Sequence, residues 1–182
     1  MLIRLMLLIT ILCLLPVCLY AGSVTLAGGA NENAATSTMV VHVSEQYLLT
    51  VPATIGFQVA DTRIDASSTP VSIELKGMVL SRATQQMKLY LKAATDSFIT
   101  PAPGAPTWLA TDIHWSAGEW QHGAGKVGTL SAAAFTEVVS SDAGARSLST
   151  NDFEFTLNAN PRVIHAGDHS LQVIWKVESM IP

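Results

Sequence analysis

From Leu171 the chain alternates, with Leu171, Val173, Trp175 and Val177 on one side and Gln172, Ile174 and Lys176 on the other. That is the period-2 signature of a strand with one buried face. Gly167 and Asp168 ahead of it supply turn chemistry, a glycine that tolerates positive φ and a short carboxylate that bonds nearby N–H groups. The same alternation recurs upstream. Met39, Val41 and Val43 lead through Tyr47, Leu49 and Val51 to Pro52, which breaks the run, and Ile55, Phe57 and Val59 predict a further strand before a polar loop over residues 61–70. Val71, Ile73 and Leu75 oppose Ser72, Glu74 and Lys76, and Gly77 is placed for a bulge or bend before Met78. Met87, Leu89 and Leu91 predict its hairpin partner, joined through residues 81–84.

Pro101, Pro103 and Pro106 remove ladder donors, so residues 100–106 read as a loop. A strand is expected over residues 108–115 and a glycine-punctuated segment over 118–128. Over 131–139 the alanine run sets a short helix against a strand. Phe153, Phe155 and Leu157 face inward, and Asn160 with Pro161 turns the chain towards the closing strand. Roughly eight to ten short strands separated by turn signals, without a heptad or a long amphipathic helix, define an all-β chain, an antiparallel immunoglobulin-like β-sandwich.

The first 21 residues follow another pattern. Arg4 precedes an almost unbroken apolar run from Leu5 to Leu15, and Leu19, Tyr20 and Ala21 end on a small residue, which reads as a cleaved signal peptide. The run is short for a membrane span, which needs about 20 residues, and Val17 ahead of Cys18 is too large for a lipidation site. The chain then divides into a signal peptide (1–21), a Gly/Asn/Ala-rich arm with one short apolar alternation at Val24 and Leu26 (22–37), and a single β-sandwich domain (38–182). Secretion places the mature chain in an oxidising compartment, yet both cysteines, Cys13 and Cys18, lie in the signal. Packing rather than disulfides must therefore hold the fold.

Net charge is −4 and no basic cluster exists, which argues against nucleic acid as a partner. Charged residues make up 13% of the chain, a composition that suits a protein packing against copies of itself. Catalytic signatures are missing: there is no Gly-x-Ser-x-Gly elbow, no His-Glu-x-x-His pair and no phosphate-cradling loop, so neither an enzyme nor a cofactor is expected. His165 and His169 are four apart, a spacing that gathers metal ligands on a helix. Gly167 between them argues for turn and surface histidines, and no metal is expected. Trp108, Trp115 and Trp120 are clustered. Trp115 shares strand phase with Ile113 and reads as core, whereas Trp120, flanked by Gly118 and Gly123, is with Trp108 and His122 a candidate contact for a glycan or protein ligand.

The closing strand, a Gly-led turn, a serine and alternating apolar residues running almost to Pro182, resembles the end of small secreted β-sandwich surface proteins. These are fimbrial subunits of the alternate chaperone–usher type, spore-coat-U-like proteins and WxL-type cell-surface domains. Residues 49–57, Leu-Thr-Val-Pro-Ala-Thr-Ile-Gly-Phe, resemble an early strand pair of such proteins, and Ile113-His114-Trp115-Ser116 a mid-chain strand of the fimbrial ones. The resemblance implies a pilus or coat subunit that passes through the periplasm to the cell surface or an extracellular filament and serves adhesion. Its partners would be copies of itself or other fimbrial subunits, a periplasmic chaperone, an outer-membrane usher and a host or surface glycan. It further implies an acceptor groove lined by Leu171, Val173, Trp175 and Val177, filled by β-strand addition from a donor arm bearing Val24 and Leu26. The alternative is a monomeric binding module with a paired closing strand. If the Trp175 ring is core, Trp175→Ala costs about 3–5 kcal/mol.

Overall fold

The computed structural model describes residues 39–181. The signal peptide and the arm with Val24 and Leu26 lie outside the described residues. The body begins at Val43 and is all-β and antiparallel, its strands forming three sheets whose inner faces share one apolar core.

In the first sheet β1 (Gln46–Thr50) pairs with β3 (Val71–Val79), and β3 with β9 (Ser147–Phe153). Val71, Ile73 and Leu75 are buried, as their alternation requires. The phase then slips. Gln46 faces Val79 while Leu48 faces Lys76, so β3 carries one extra residue, and Gly77 takes it up at φ 62, leaving Met78 buried and Gly77 exposed. Tyr47 sits at this irregularity and is exposed rather than inward.

A second sheet continues the first. Past Glu154, β9 runs into β10 (Phe155–Leu157), which pairs with the short β2 (Ala66–Ser67) and with β5 (Ile113–Trp115); β5 in turn pairs with β7 (Gly128–Thr129). Phe153, Phe155 and Leu157 all point inward. The third sheet has the order β11 (Val173–Met180), β4 (Gln86–Ala93), β8 (Thr136–Ser141), β6 (Gly123–Gly125). In β4 the buried set is Met87, Leu89, Leu91 and Ala93. A shift opposite Leu89 and Tyr90 lets Val138 and Val139 both turn inward.

Three expectations change. First, β3 and β4 do not form a hairpin: β3 joins β1 and β9, and β4 joins β8 and β11, so residues 80–85 cross from one sheet to another. Secondly, residues 55–59 alternate as expected, with Ile55, Phe57 and Val59 half-buried, but form no ladder beyond a single bridge between Phe57 and Ser68. Thirdly, Trp108 to Trp115 is not one strand. Asp112 accepts a hydrogen bond from the Leu109 N–H (2.8 Å) and closes a 3-10 turn, Ala110–Asp112, so that β5 starts only at Ile113. Over residues 131–139 neither expectation covers the whole segment: Ala132–Ala134 form a bend in which the Ser131 hydroxyl accepts the Ala133 and Ala134 N–H (3.1 and 3.4 Å), and β8 begins only at Thr136, where β4 and β6 on either side satisfy its backbone.

Candidate binding cleft

The sheets are joined along one side. β6 and β7 lie in different sheets but only Lys126 and Val127 separate them, and the Lys126 N–H donates to the Val138 carbonyl (2.8 Å). β11 and β1 stand at the other ends of their sheets. Between β11 and the chain that continues β1, a cleft of about 1270 Å³ enters the core.

One wall is residues 51–60, which present Val51, Ile55, Phe57 and Val59; the other is residues 163–175, with Leu171, Val173 and Trp175. Phe98, Trp108, Ile113, Leu130, Phe155 and Leu157 form an apolar floor. The side chains of both walls are only half-buried, whereas those of β4 behind them are sealed. Apolar surface of this kind, left partly wet between two well-packed layers, is what a further apolar segment would cover.

The backbone of β11 is open on the same side. All eight of its residues pair with β4, from Val173 opposite Ala93 to Met180 opposite Gln86, and among the described residues no strand pairs with its other edge. The Gln172 carbonyl accepts the Ala94 N–H (2.9 Å). With the antiparallel alternation that follows from this bond, the amides of Val173, Trp175, Val177 and Ser179 point away from β4. An apolar face and a row of free N–H and C=O groups thus coincide on one strand, an arrangement that templates the addition of another.

The two ends of the cleft differ. At the far end Ile99 and Ser170 form a two-bond bridge (2.8 and 3.1 Å). There the His169 ring stands edge-on to Trp108 (5.2 Å between centroids), with Nδ1 3.1 Å from the Thr107 hydroxyl and Nε2 3.2 Å from the His165 carbonyl. His165 and His169 therefore meet through a backbone oxygen, not as paired ring ligands. Among the described residues no group of three or more His, Cys, Asp or Glu side chains is arranged to hold a metal ion. Beyond the near end Gln85, 3% exposed, links the chain ahead of β1 to the end of β11. Its Nε2 donates to Glu45 (2.8 Å) and to the Ser179 hydroxyl, and its Oε1 accepts from the Ser81 N–H and hydroxyl (3.0 and 2.9 Å) and the Arg82 N–H (3.2 Å). Hydrogen bonds from Ser81 and then Gln85 hold the Glu45 carboxyl below its ordinary range.

Of the expected groove residues, the structure brings Leu171, Val173 and Trp175 into the cleft; Val177 is half-buried on the same face but lies beyond the lining, towards the closed end. The alternation over residues 55–59 predicts a strand but not a cleft wall, and Gln85, a glutamine in a turn, is ordinary sequence. Trp108 is 5% exposed, its Nε1 donates to the Asn158 carbonyl (3.0 Å) and its ring joins the cleft floor rather than an open face. Trp120 is half-buried, 5.5 Å from the Phe153 ring, and its Nε1 is taken by the Ala117 carbonyl (3.0 Å). His122 is exposed, at φ 61. Trp115 is core, at 1% exposure. No family model, curated protein or solved structure matches the chain.

Proposed function

We propose that this chain is a non-catalytic, secreted surface protein, a pilus or coat subunit that assembles by taking a neighbour's N-terminal arm into the cleft as an added strand. The observation that carries the reading is the coincidence, on β11, of half-buried Leu171, Val173 and Trp175 with an outer edge that no described strand pairs. In an immunoglobulin-like scheme β1, β3 and the β9–β10 run take the places of strands A, B and E, and β4 and β11 those of C and F. The place of strand G, at the free edge of β11, is where the cleft opens. The donor is the arm bearing Val24 and Leu26. Residues 22–37, extended at about 3.3 Å each, reach roughly 50 Å, more than the eight residues of β11 require. Passage through the periplasm with a chaperone that covers the cleft, delivery by an outer-membrane usher and a role in adhesion follow from the same reading. The glycan-binding alternative has less support, since Trp108 lies in the cleft floor and Trp120 is half-buried against Phe153.

Because Trp175 is half-buried, Trp175→Ala is expected to cost the isolated chain about 1–2 kcal/mol, less than a sealed core position would, while assembly is lost. Chemical denaturation beside sedimentation checks both halves. A variant that assembles like the parent chain would remove β11 from the interface.

A further inference from the structure

We propose that Gln85 is a register stop for the cleft: a positioning residue that ties the end of β11 to the chain entering β1 and so fixes how far along β11 an added strand can pair. The inference rests on the strand-addition reading.

One buried amide bridges the two chain segments that run on from the walls, through Glu45 just ahead of β1 and Ser179 near the end of β11, while its carbonyl is anchored by three donors from Ser81 and Arg82. Each of its polar atoms is used, so the side chain has one geometry to hold. The cleft begins where this tie ends. Its lining stops at Val51 on one wall and Trp175 on the other, although Leu49 and Val177 continue the same apolar faces. An incoming segment therefore meets free backbone amides at Val173 and Trp175, whereas at Ser179 the side chain is already engaged, its hydroxyl bonded to the amide that also holds Glu45. Strand addition without a stop is prone to slippage, and a slip by one residue turns every apolar side chain of the added strand away from the core. Closing one end of an otherwise open edge gives the added strand a defined end-point.

Residue-resolved hydrogen exchange on the full chain, assembled against monomeric, tests this. In the parent protein the amides of Val173 and Trp175 gain protection on assembly and that of Ser179 does not. Gln85→Asn, whose shorter amide cannot span the two segments, and Glu45→Ala, which removes one leg from an exposed position, are expected to raise Ser179 protection in the assembled form by more than about tenfold. Protection running evenly from Val173 through Ser179 in the parent assembly overturns the stop, as does an unchanged pattern in Glu45→Ala. If no amide of β11 gains protection and the chain stays monomeric, strand addition itself fails, a result distinct from failure of the stop.

Discussion

Trp115→Ala is expected to lower the unfolding free energy by about 3–5 kcal/mol, the cost of emptying a large aromatic site that cannot collapse. The ring is 1% exposed, packs edge-on against Phe155 (5.9 Å, 71°) and covers Gly128 so closely that a Cβ there would come within 2.3 Å of Cζ2. Backbone on one side and Phe155 on the other leave little room for relaxation. The indole also carries a buried Nε1 without a hydrogen-bond partner among the described residues. A buried donor left unpaired costs about 1–3 kcal/mol, so Trp115→Phe, which deletes that N–H with part of the volume, is expected to lose less than half as much as Trp115→Ala. Chemical denaturation of the two variants gives the ratio. Equal losses would place a partner at Nε1, and a loss below about 1 kcal/mol for Trp115→Ala would remove the ring from the core.

Gly125→Ala is the second large effect. In β6 a Cβ at this position would lie 1.7 Å from the Ala117 carbonyl oxygen and 2.8 Å from Cδ1 of Trp120. The first neighbour is backbone, so the strand itself must move. Movement breaks the β6–β8 ladder at Val139 and displaces the indole from Phe153. A loss of about 3 kcal/mol or more is expected, with a quenched or shifted tryptophan emission reporting the Trp120 displacement. Gly56→Ala, at a position where a Cβ would meet nothing within 4 Å, serves as the control and should differ from the parent by less than about 0.5 kcal/mol. A neutral Gly125→Ala would contradict the close approach of residues 117 and 125.

Much of the layer structure was legible because alternation reports which face of a strand is wet. Val71, Ile73 and Leu75, Met87 to Leu91, and Phe153 to Leu157 went to the core as their spacing requires. Pairing was not legible. β3 and β4 are consecutive, alternate in phase and are joined by a short turn, all of which a hairpin would show; that residues 80–85 instead cross between sheets depends on distant partners, β9 for β3 and β8 for β4, the latter 45 to 52 residues away. Residues 55–59 show the converse: their apolar face was correct, but a strand also needs a ladder, and theirs is a single bridge. Trp120 lies further in than its flanking glycines suggested, half-buried against Phe153, and both Trp108 and Trp120 find carbonyl partners for their Nε1 atoms, at Asn158 and Ala117. Part of the site was visible in the closing strand. Its opposite wall and the Gln85 tie were not, since each acquires meaning from long-range contacts, Gln85 reaching 40 residues back to Glu45 and 94 forward to Ser179.

The cleft as a strand acceptor is tested most directly by the mass distribution, from size exclusion with light scattering, of the chain beginning at Gly22 with and without residues 22–37. Protease-resistant oligomers of the longer form, and their loss when the arm is removed, are the expected result. Two stable monomers, with β11 amides exchanging alike in both, would contradict strand addition and leave the cleft without its occupant.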